Sequence, residues 1–505
     1  MGRLVGILVA VVVAVLGMPA PAQGTGGGAL VRTDHGVVRG TVEETVRVFQ
    51  GIPYAAPPGD ALRWRAPQPA RPWRGTLDAT APRESCAQPA SAVGNPQSFN
   101  EDCLYLNVTA PRRGHRLPVM VWIHGGAYTN GNGASYDARK LAVEGDVLVV
   151  TINYRLGAFG FLTLPGLSGN LGLADQQAAL RWVRRNAAAF GGDPGRVTIF
   201  GESAGGGSVC MHLASPTATG LFHRAIAQSY GCSWAIPTVA AAEQAGAAFA
   251  TRAGCPDAAA DCLRRVPVAD LLRAWTGGGP AAGGEIVPVQ PAEALRTDRF
   301  HHVPLLMGST LDEMRLFVSL ANDALGRPVT PEGYEQTVRT AYGARAEEVL
   351  RRYPVAAYPT PSIALSTVQT DFGTQRSTCE HLRTYRAAAA RPFAVAVYAY
   401  QFVDRTAPPL VDVPGFDEGA EHASELSFLF PNIFGRALTP AQETLSAAMV
   451  RYWANFARTG NPNGARLPAW HRFRSAERVQ SLGLGPAGIH PADIAGPSNC
   501  DFWLG

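Results

Sequence analysis

The sequence predicts an α/β protein built on a large, mostly parallel central sheet, flanked by helices and carrying helical insertions. Apolar, strand-like runs recur along the chain at Val119-Met120-Val121-Trp122-Ile123, Val147 to Asn153, Val197-Thr198-Ile199-Phe200, Ala225-Ile226-Ala227, Pro304-Leu305-Leu306-Met307 and Val395-Ala396-Val397-Tyr398. Several are continuously apolar rather than alternating, as a strand covered on both faces requires. Between the second and third runs, Leu171 to Phe190 places Leu173, Leu180 and Val183 on one helical face and ends at Gly191-Gly192, which reads as a crossover helix. The 505 residues are 46% hydrophobic and 17% charged, enough for a large core and too little charge for disorder. Residues 235 to 300 and 320 to 390, rich in Ala, Arg and Pro, are expected to form helical excursions above the sheet. No repeat or low-complexity linker divides residues 23 to 505, so one domain is expected.

The N-terminal stretch departs from this pattern. Arg3 precedes the apolar run Leu4 to Met18, and Ala20-Pro21-Ala22 supplies the small residues of a signal-peptidase site, so residues 1–22 read as a secretory signal cut after Ala22. About 15 apolar residues fall short of the roughly 20 that cross a bilayer, so no stable membrane anchor is expected and the mature protein should be secreted. A Gly-rich stretch, Gly24 to Gly28, follows. An oxidising destination permits disulfides among the eight cysteines, and proximity suggests Cys86 with Cys103 and Cys255 with Cys262. Lys and Arg total 44 against 40 Asp and Glu, for a formal charge of +4, and the basic residues are scattered. No concentrated field exists to hold a polyanion, so nucleic acid is not an expected partner. Asn107-Val108-Thr109 is a glycosylation sequon by pattern only, in an expected strand.

Chemistry enters at Gly201-Glu202-Ser203-Ala204-Gly205, the chain's one Gly-x-Ser-x-Gly. Alone such a pentad is weak, but here it directly follows an apolar β-branched run and directly precedes an expected helix, Gly206 to Leu213. That is the strand-turn-helix setting of a nucleophile elbow, in which the serine sits in a strained conformation and glycines remove collisions with the neighbouring strand and helix. A helix start also offers free N–H groups and a positive dipole end to developing negative charge.

With these residues the sequence resembles the type-B carboxylesterases, the branch of the α/β-hydrolase fold that includes cholinesterases. The blocks Phe200-Gly201-Glu202-Ser203-Ala204-Gly205-Gly206, Glu101-Asp102-Cys103-Leu104-Tyr105-Leu106-Asn107 and Trp122-Ile123-His124-Gly125-Gly126-Ala127-Tyr128 carry the resemblance, with Asn153-Tyr154-Arg155, Phe190-Gly191-Gly192-Asp193-Pro194 and Cys500-Asp501-Phe502-Trp503. It implies a carboxylic ester hydrolase acting through an acyl-enzyme on Ser203, on a small-molecule ester and with no metal or organic cofactor. Oxyanion donors are implied at the N–H groups of Gly126, Ala127 and Ala204, with His124 structural.

In the chain order of this fold the acid and then the base follow the serine. Of the 11 histidines, only His422, in Gly419-Ala420-Glu421-His422-Ala423-Ser424-Glu425-Leu426, lies in a segment resembling the family's histidine loop. Ala423 departs from the glycine usual after it, which restricts the backbone there. His301, His302 and His381 are expected on the surface or in the core. The family's Asp-Glu pair aligns Glu313 with the acid; Met314 replaces the usual glycine after it, which keeps Asp312 as the alternative. Glu202 and Glu425 match polar positions near the family's site.

Resemblance also pairs Cys86 with Cys103, Cys255 with Cys262 and Cys379 with Cys500, leaving Cys210 and Cys232 as a fourth bridge or two buried thiols. Cholinesterases stack a tryptophan on the quaternary ammonium from within the first disulfide loop. Here the loop Cys86 to Cys103 has no aromatic residue except Phe99, so a general carboxylesterase is expected rather than a cholinesterase. The alternatives are a lipase or polyester hydrolase and a non-catalytic, esterase-like binding protein. Oligomeric state is not readable.

Overall fold

The computed structural model describes residues 28–390 and 395–505; the expected leader over residues 1–22 lies outside the described residues. In chain order the strands are β1 (Ala29–Arg32), β2 (Val37–Val42), β3 (Val46–Pro53), β4 (Thr76–Asp78), β5 (Tyr105–Pro111), β6 (Leu117–Ile123), β7 (Leu148–Ile152), β8 (Thr163–Leu164), β9 (Leu167–Ser168), β10 (Gly192–Glu202), β11 (Arg224–Gln228), β12 (Leu305–Thr310), β13 (Val397–Phe402), β14 (Val479–Leu482) and β15 (Ile489–Ala492). Thirteen of them form one sheet in the order β1-β2-β3-β5-β7-β6-β10-β11-β12-β13-β14-β15, with β4 beside β2, while β8 and β9 pair separately. From β7 to β14 every neighbouring pair is parallel, and antiparallel strands flank this centre at both ends.

Continuous apolarity has a direct structural cause here. Successive side chains of a strand point to opposite faces, and the parallel strands divide theirs between two cores. Val119, Val121 and Ile123 of β6 join one core with Ile199, Ala225 and Leu305, while Met120 and Trp122 join the other with Phe200, Ile226 and Leu306. Helices Leu171–Asn186, Ala204–Leu213 and Thr378–Ala389 cover the first face, and helices Arg139–Gly145 and Pro440–Thr459 the second. Each fully buried Leu, Ile, Val or Met contributes about 1.5–3 kcal/mol over its exposed state.

The helix ends follow local chemistry. Leu171–Asn186 runs into a 3₁₀ turn, Ala187–Phe190, which Gly191 closes at φ 94°, a left-handed value that glycine adopts without steric cost. Pro440–Thr459 opens with Thr439 and Gln442 in a reciprocal capping box and Pro440 in its first turn, and Gly460 ends it at φ 75°. β10 begins at Gly192, earlier than the expected Val197, because Gly192 pairs with Leu117 before the register shifts at Val197. Helices occupy much of 235–300 and 320–390, including Val239–Arg252, Pro331–Tyr342 and Pro361–Asp371. Among the described residues no helix is long and apolar enough to cross a membrane.

All eight cysteines are bridged. The pairs are Cys86–Cys103, Cys255–Cys262, Cys379–Cys500 and Cys210–Cys232, so the fourth pair, left open by the sequence, ties the helix after Ser203 to the segment after β11.

Candidate active site

Four parallel strands bring the chemistry-bearing residues to one edge of the sheet. β6 ends one residue before His124, β10 ends at Glu202 beside Ser203, β12 ends shortly before Asp312 and Glu313, and the long connection after β13 carries His422. Ligand sites of open α/β sheets lie at the carboxyl ends of the strands for this reason: the connections there converge on one crevice.

Ser203 caps the helix Ala204–Leu213 with φ 56° and ψ −123°, a conformation that costs about 1–3 kcal/mol for a non-glycine residue. Its N–H donates to Gln228 O at 3.0 Å and its carbonyl accepts from Gly207 N at 2.8 Å, so both sides of the turn are fixed. A Cβ on Gly201 would stand 2.6 Å from Gly205 C and Ile123 O, and one on Gly205 would collide with the same Ile123 carbonyl. The pentad needs its glycines because β6 and the helix start pass too close for side chains.

The turn after β6 supplies backbone donors. Gly126, at φ 104°, accepts from Thr129 N at 2.9 Å and Asn130 N at 3.0 Å, and Ala127 follows at φ 53°. Among the described residues the N–H groups of Gly126, Ala127 and Ala204 have no acceptor. His124 stacks on Tyr154 with ring centroids 4.4 Å apart, and its Nδ1 bonds to Gly125 O at 2.8 Å. Burial pushes its pKa down to about 4, so it is a neutral structural ring at pH 7.

His422 lies between two carboxylates. Nδ1 is 2.6 Å from Glu313 Oε2, and Nε2 is 2.9 Å from Glu202 Oε1. Burial disfavours charge on the ring, but Glu202 and Glu313 outweigh it and lift the pKa to about 9. Burial likewise works against ionisation of Glu313, yet the His422 charge and hydrogen bonds from His422 and the Thr310 N–H, the last at 2.8 Å, hold its carboxyl below the usual range. Glu425 is different: burial, with Glu202 and Glu313 nearby, raises it to about 8, and its Oε1 accepts from Gln228 Nε2 at 3.0 Å.

Asp312 faces another way. Oδ2 accepts the Ala420 N–H at 3.0 Å, Oδ1 stands 2.9 Å from Arg405 Nη2 and 3.2 Å from Arg315 Nε, and its N–H donates to Ala420 O at 2.9 Å. It staples the histidine loop to the end of β12. Met314, at φ −89° and ψ −1°, has a negative φ, so its backbone conformation does not call for glycine. Ala423 instead takes φ 71°, the left-handed conformation that a glycine would adopt freely.

Ser203, Glu202, His422, Gly125, Gly126 and Ala127 line one cavity of about 380 Å³. Leu316, Phe317, Leu410, Leu426, Ile433 and Phe434 give it an apolar wall, and Ser91 to Asn95 of the Cys86–Cys103 loop form another side. Phe99 is not part of that lining and is 51% exposed. His381 is buried beside Tyr385, His301 bonds to Ser215 O at 2.7 Å, and His302 lies 2.9 Å from Asp298; none of the three lines the cavity. Phe317 and Arg376 are among the lining residues that escaped sequence reasoning, because nothing in their local pattern marks them off from their neighbours.

The carboxylesterase family model matches residues 28–503. The chain is 37% identical to para-nitrobenzyl esterase of Bacillus subtilis (strain 168) over 474 residues, 88% of this chain and 92% of that protein. It is 36% identical to acylcarnitine hydrolase of Mus musculus over 496 residues, covering 90% and 88% of the two chains. A solved PNB esterase, 37% identical, superposes with a TM-score of 0.75 over 91% of this chain and 96% of that one. The sheet described above is thus the α/β-hydrolase fold.

Proposed function

The chain belongs to the carboxylesterase family and is a carboxylic ester hydrolase, and from that premise we propose that it works through an acyl-enzyme on Ser203, with His422 as base and Glu313 as the group that orients it. The observation that carries this reading is the meeting, in one cavity, of a serine on a left-handed turn and a histidine whose other nitrogen is held 2.6 Å from a buried carboxylate.

In the neutral ring, Nδ1–H donates to Glu313 and leaves the Nε2 lone pair for catalysis. Once the Nε2 proton that bridges Glu202 has gone to solvent, Nε2 takes the Ser203 hydroxyl proton as Oγ attacks the ester carbonyl, and the carbonyl oxygen becomes an oxyanion facing the N–H groups of Gly126, Ala127 and Ala204. Collapse of this intermediate breaks the ester C–O bond, and His422 passes its proton to the departing alkoxide. Water then attacks the acyl-enzyme by the same route and releases the acid and Ser203. Losing one oxyanion donor from such an arrangement costs about 10²–10³ in kcat.

Hydrolysis of p-nitrophenyl esters from acetate to palmitate, by the protein and by Ser203→Ala, tests the reading. A short-chain optimum abolished in the variant supports it. A long-chain optimum moves the assignment to a lipase, and near-full turnover by Ser203→Ala removes the nucleophile.

Secretion belongs to the same reading. It is supported by the leader-like residues 1–22 and by four disulfides, which persist in oxidising compartments. Intact-mass analysis of protein from the culture medium should find a chain beginning at Gln23, and full-length protein retained in membranes would contradict it.

A further inference from the structure

We propose that Arg376 is an anion-recognising group of the substrate cavity, and that the esters this protein hydrolyses best carry a carboxylate in addition to the scissile ester. The proposal rests on the Ser203 esterase reading and adds the substrate class to it.

Arg376 lines the same cavity as Ser203 and His422. Its guanidinium carbon stands 4.3 Å from the centroid of the Phe317 ring, and that ring is 5.0 Å from the ring of His422. The turn that carries it is anchored on both sides: the Arg376 N–H donates to Thr374 Oγ1 at 3.2 Å, and the preceding Gln375 carbonyl accepts from Gly231 N at 2.7 Å. Gly231 precedes Cys232, whose disulfide reaches Cys210 in the helix after Ser203. The cation is therefore held in fixed relation to the nucleophile.

Among the described residues Arg376 is the arginine that lines this cavity, and its donors are unengaged. Among the described residues the more deeply buried Arg63, Arg155 and Arg315 each hold a carboxylate: Arg63 Nε is 2.8 Å from Glu101, Arg155 Nη2 is 2.7 Å from Asp175, and Arg315 Nη1 is 2.7 Å from Asp417. Among the described residues no carboxylate lies within 4.0 Å of the Arg376 guanidinium, none of its nitrogens donates a hydrogen bond, and Nε is sealed from solvent without a partner. A guanidinium in a cleft is a rigid fork of donors that matches a carboxylate bidentately, and the π face beneath it fixes its plane. Glu202 and Glu313 share the cavity's field with it, so a phosphate dianion would meet more repulsion than a carboxylate with its single charge. The chemistry of the site therefore favours a half-ester or a carboxyaryl ester over a phosphorylated one.

The test compares kcat/KM of the full chain, Arg376→Gln and Arg376→Lys on three esters: neutral p-nitrophenyl butyrate, mono-p-nitrophenyl glutarate with its carboxylate on the acyl side, and 4-(butyryloxy)benzoate with its carboxylate on the alcohol side. A charge-assisted pair implies that Arg376→Gln lowers the anionic-to-neutral ratio about tenfold or more for one of the two anionic esters, with Arg376→Lys restoring part of it. The ester affected tells which side of the scissile bond the arginine reads. Unchanged ratios on both overturn the proposal while leaving the esterase reading intact, whereas no Ser203-dependent hydrolysis of any ester defeats both. Should Arg376→Gln fail to fold, inhibition of the unmodified protein by glutaramate and by uncharged glutaramide decides: about tenfold tighter inhibition by glutaramate supports the proposal, and equal inhibition overturns it.

Discussion

Nε2 of His422 lies 2.9 Å from Oε1 of Glu202, so the nitrogen proposed to accept the Ser203 proton is bridged to a carboxylate while Glu313 holds the opposite nitrogen. The two carboxylates overcome burial and lift the ring's pKa to about 9. A base works only when neutral, so kcat/KM rises with pH as His422 loses its proton. Glu202→Gln removes one of the two anions, lowers that pKa and moves the acid limb to lower pH by about one unit. A pH–rate profile reads this directly; a limb that stays in place contradicts the pairing.

The neighbours Asp312 and Glu313 separate by phenotype. Glu313→Gln keeps the loop intact and cuts kcat by about 10²-fold or more, because the tautomer and the imidazolium lose their support. Asp312→Ala leaves the Arg315 and Arg405 charges and the Ala420 N–H without their partner and costs about 3 kcal/mol of stability. Thermal melts beside steady-state kinetics distinguish them, and an exchange of the two phenotypes would transfer the acid role to Asp312.

A second carboxyl pair sits just upstream of His422. Glu418 and Glu421 are both buried; burial pushes both carboxyls above the usual range and the neighbouring Glu421 raises Glu418 further, with Ser319 and Arg315 facing Glu418, and the Glu418 carboxyl, the Leu410 N–H and His422 partly offsetting burial at Glu421. A carboxyl with a pKa raised by folding binds its proton more tightly in the folded state. The stability it lends is fullest below the ordinary carboxylate range and is lost as pH rises through the raised value. Tm should therefore fall between neutral and alkaline pH, and Glu418→Gln should flatten that fall. Parallel Tm profiles for the two proteins would refute it.

The Cys86–Cys103 bridge closes the loop whose residues Ser91 to Asn95 wall the cavity. With a sequence separation of 17, its removal as a double Cys→Ser variant should cost about 3 kcal/mol and raise KM more than it lowers kcat, because the loop touches the cavity but carries none of the proposed reacting groups. Denaturant melts and kinetics together check both effects.

The parallel centre of the fold is legible in the sequence because strands buried on both faces leave unbroken apolar runs, as in Val119 to Ile123. The antiparallel flank β1 to β3 is harder to read: β2 alternates between buried and exposed positions over six residues, a weak signal. Gly201 and Gly205 are legible because backbone crowding forces their identity, and they mark the serine between them. The separate contacts of Asp312 and Glu313 are not, since two adjacent acids look alike until the Ala420 N–H and the His422 ring select between them. Arg376 is invisible for a related reason: one arginine in an arginine-rich insertion carries no local mark, and only the tertiary path from Gly231 to Phe317 brings it to the cavity.

The most direct test of the account is to trap the nucleophile covalently. The protein is treated with a fluorophosphonate ester, and the adduct is mapped by peptide mass spectrometry, with Ser203→Ala alongside. One adduct per chain on the peptide containing Ser203, lost together with esterase activity in the variant, is the expected result. An adduct on another residue, or a Ser203→Ala protein that is still labelled and active, would contradict the assignment of Ser203 as nucleophile.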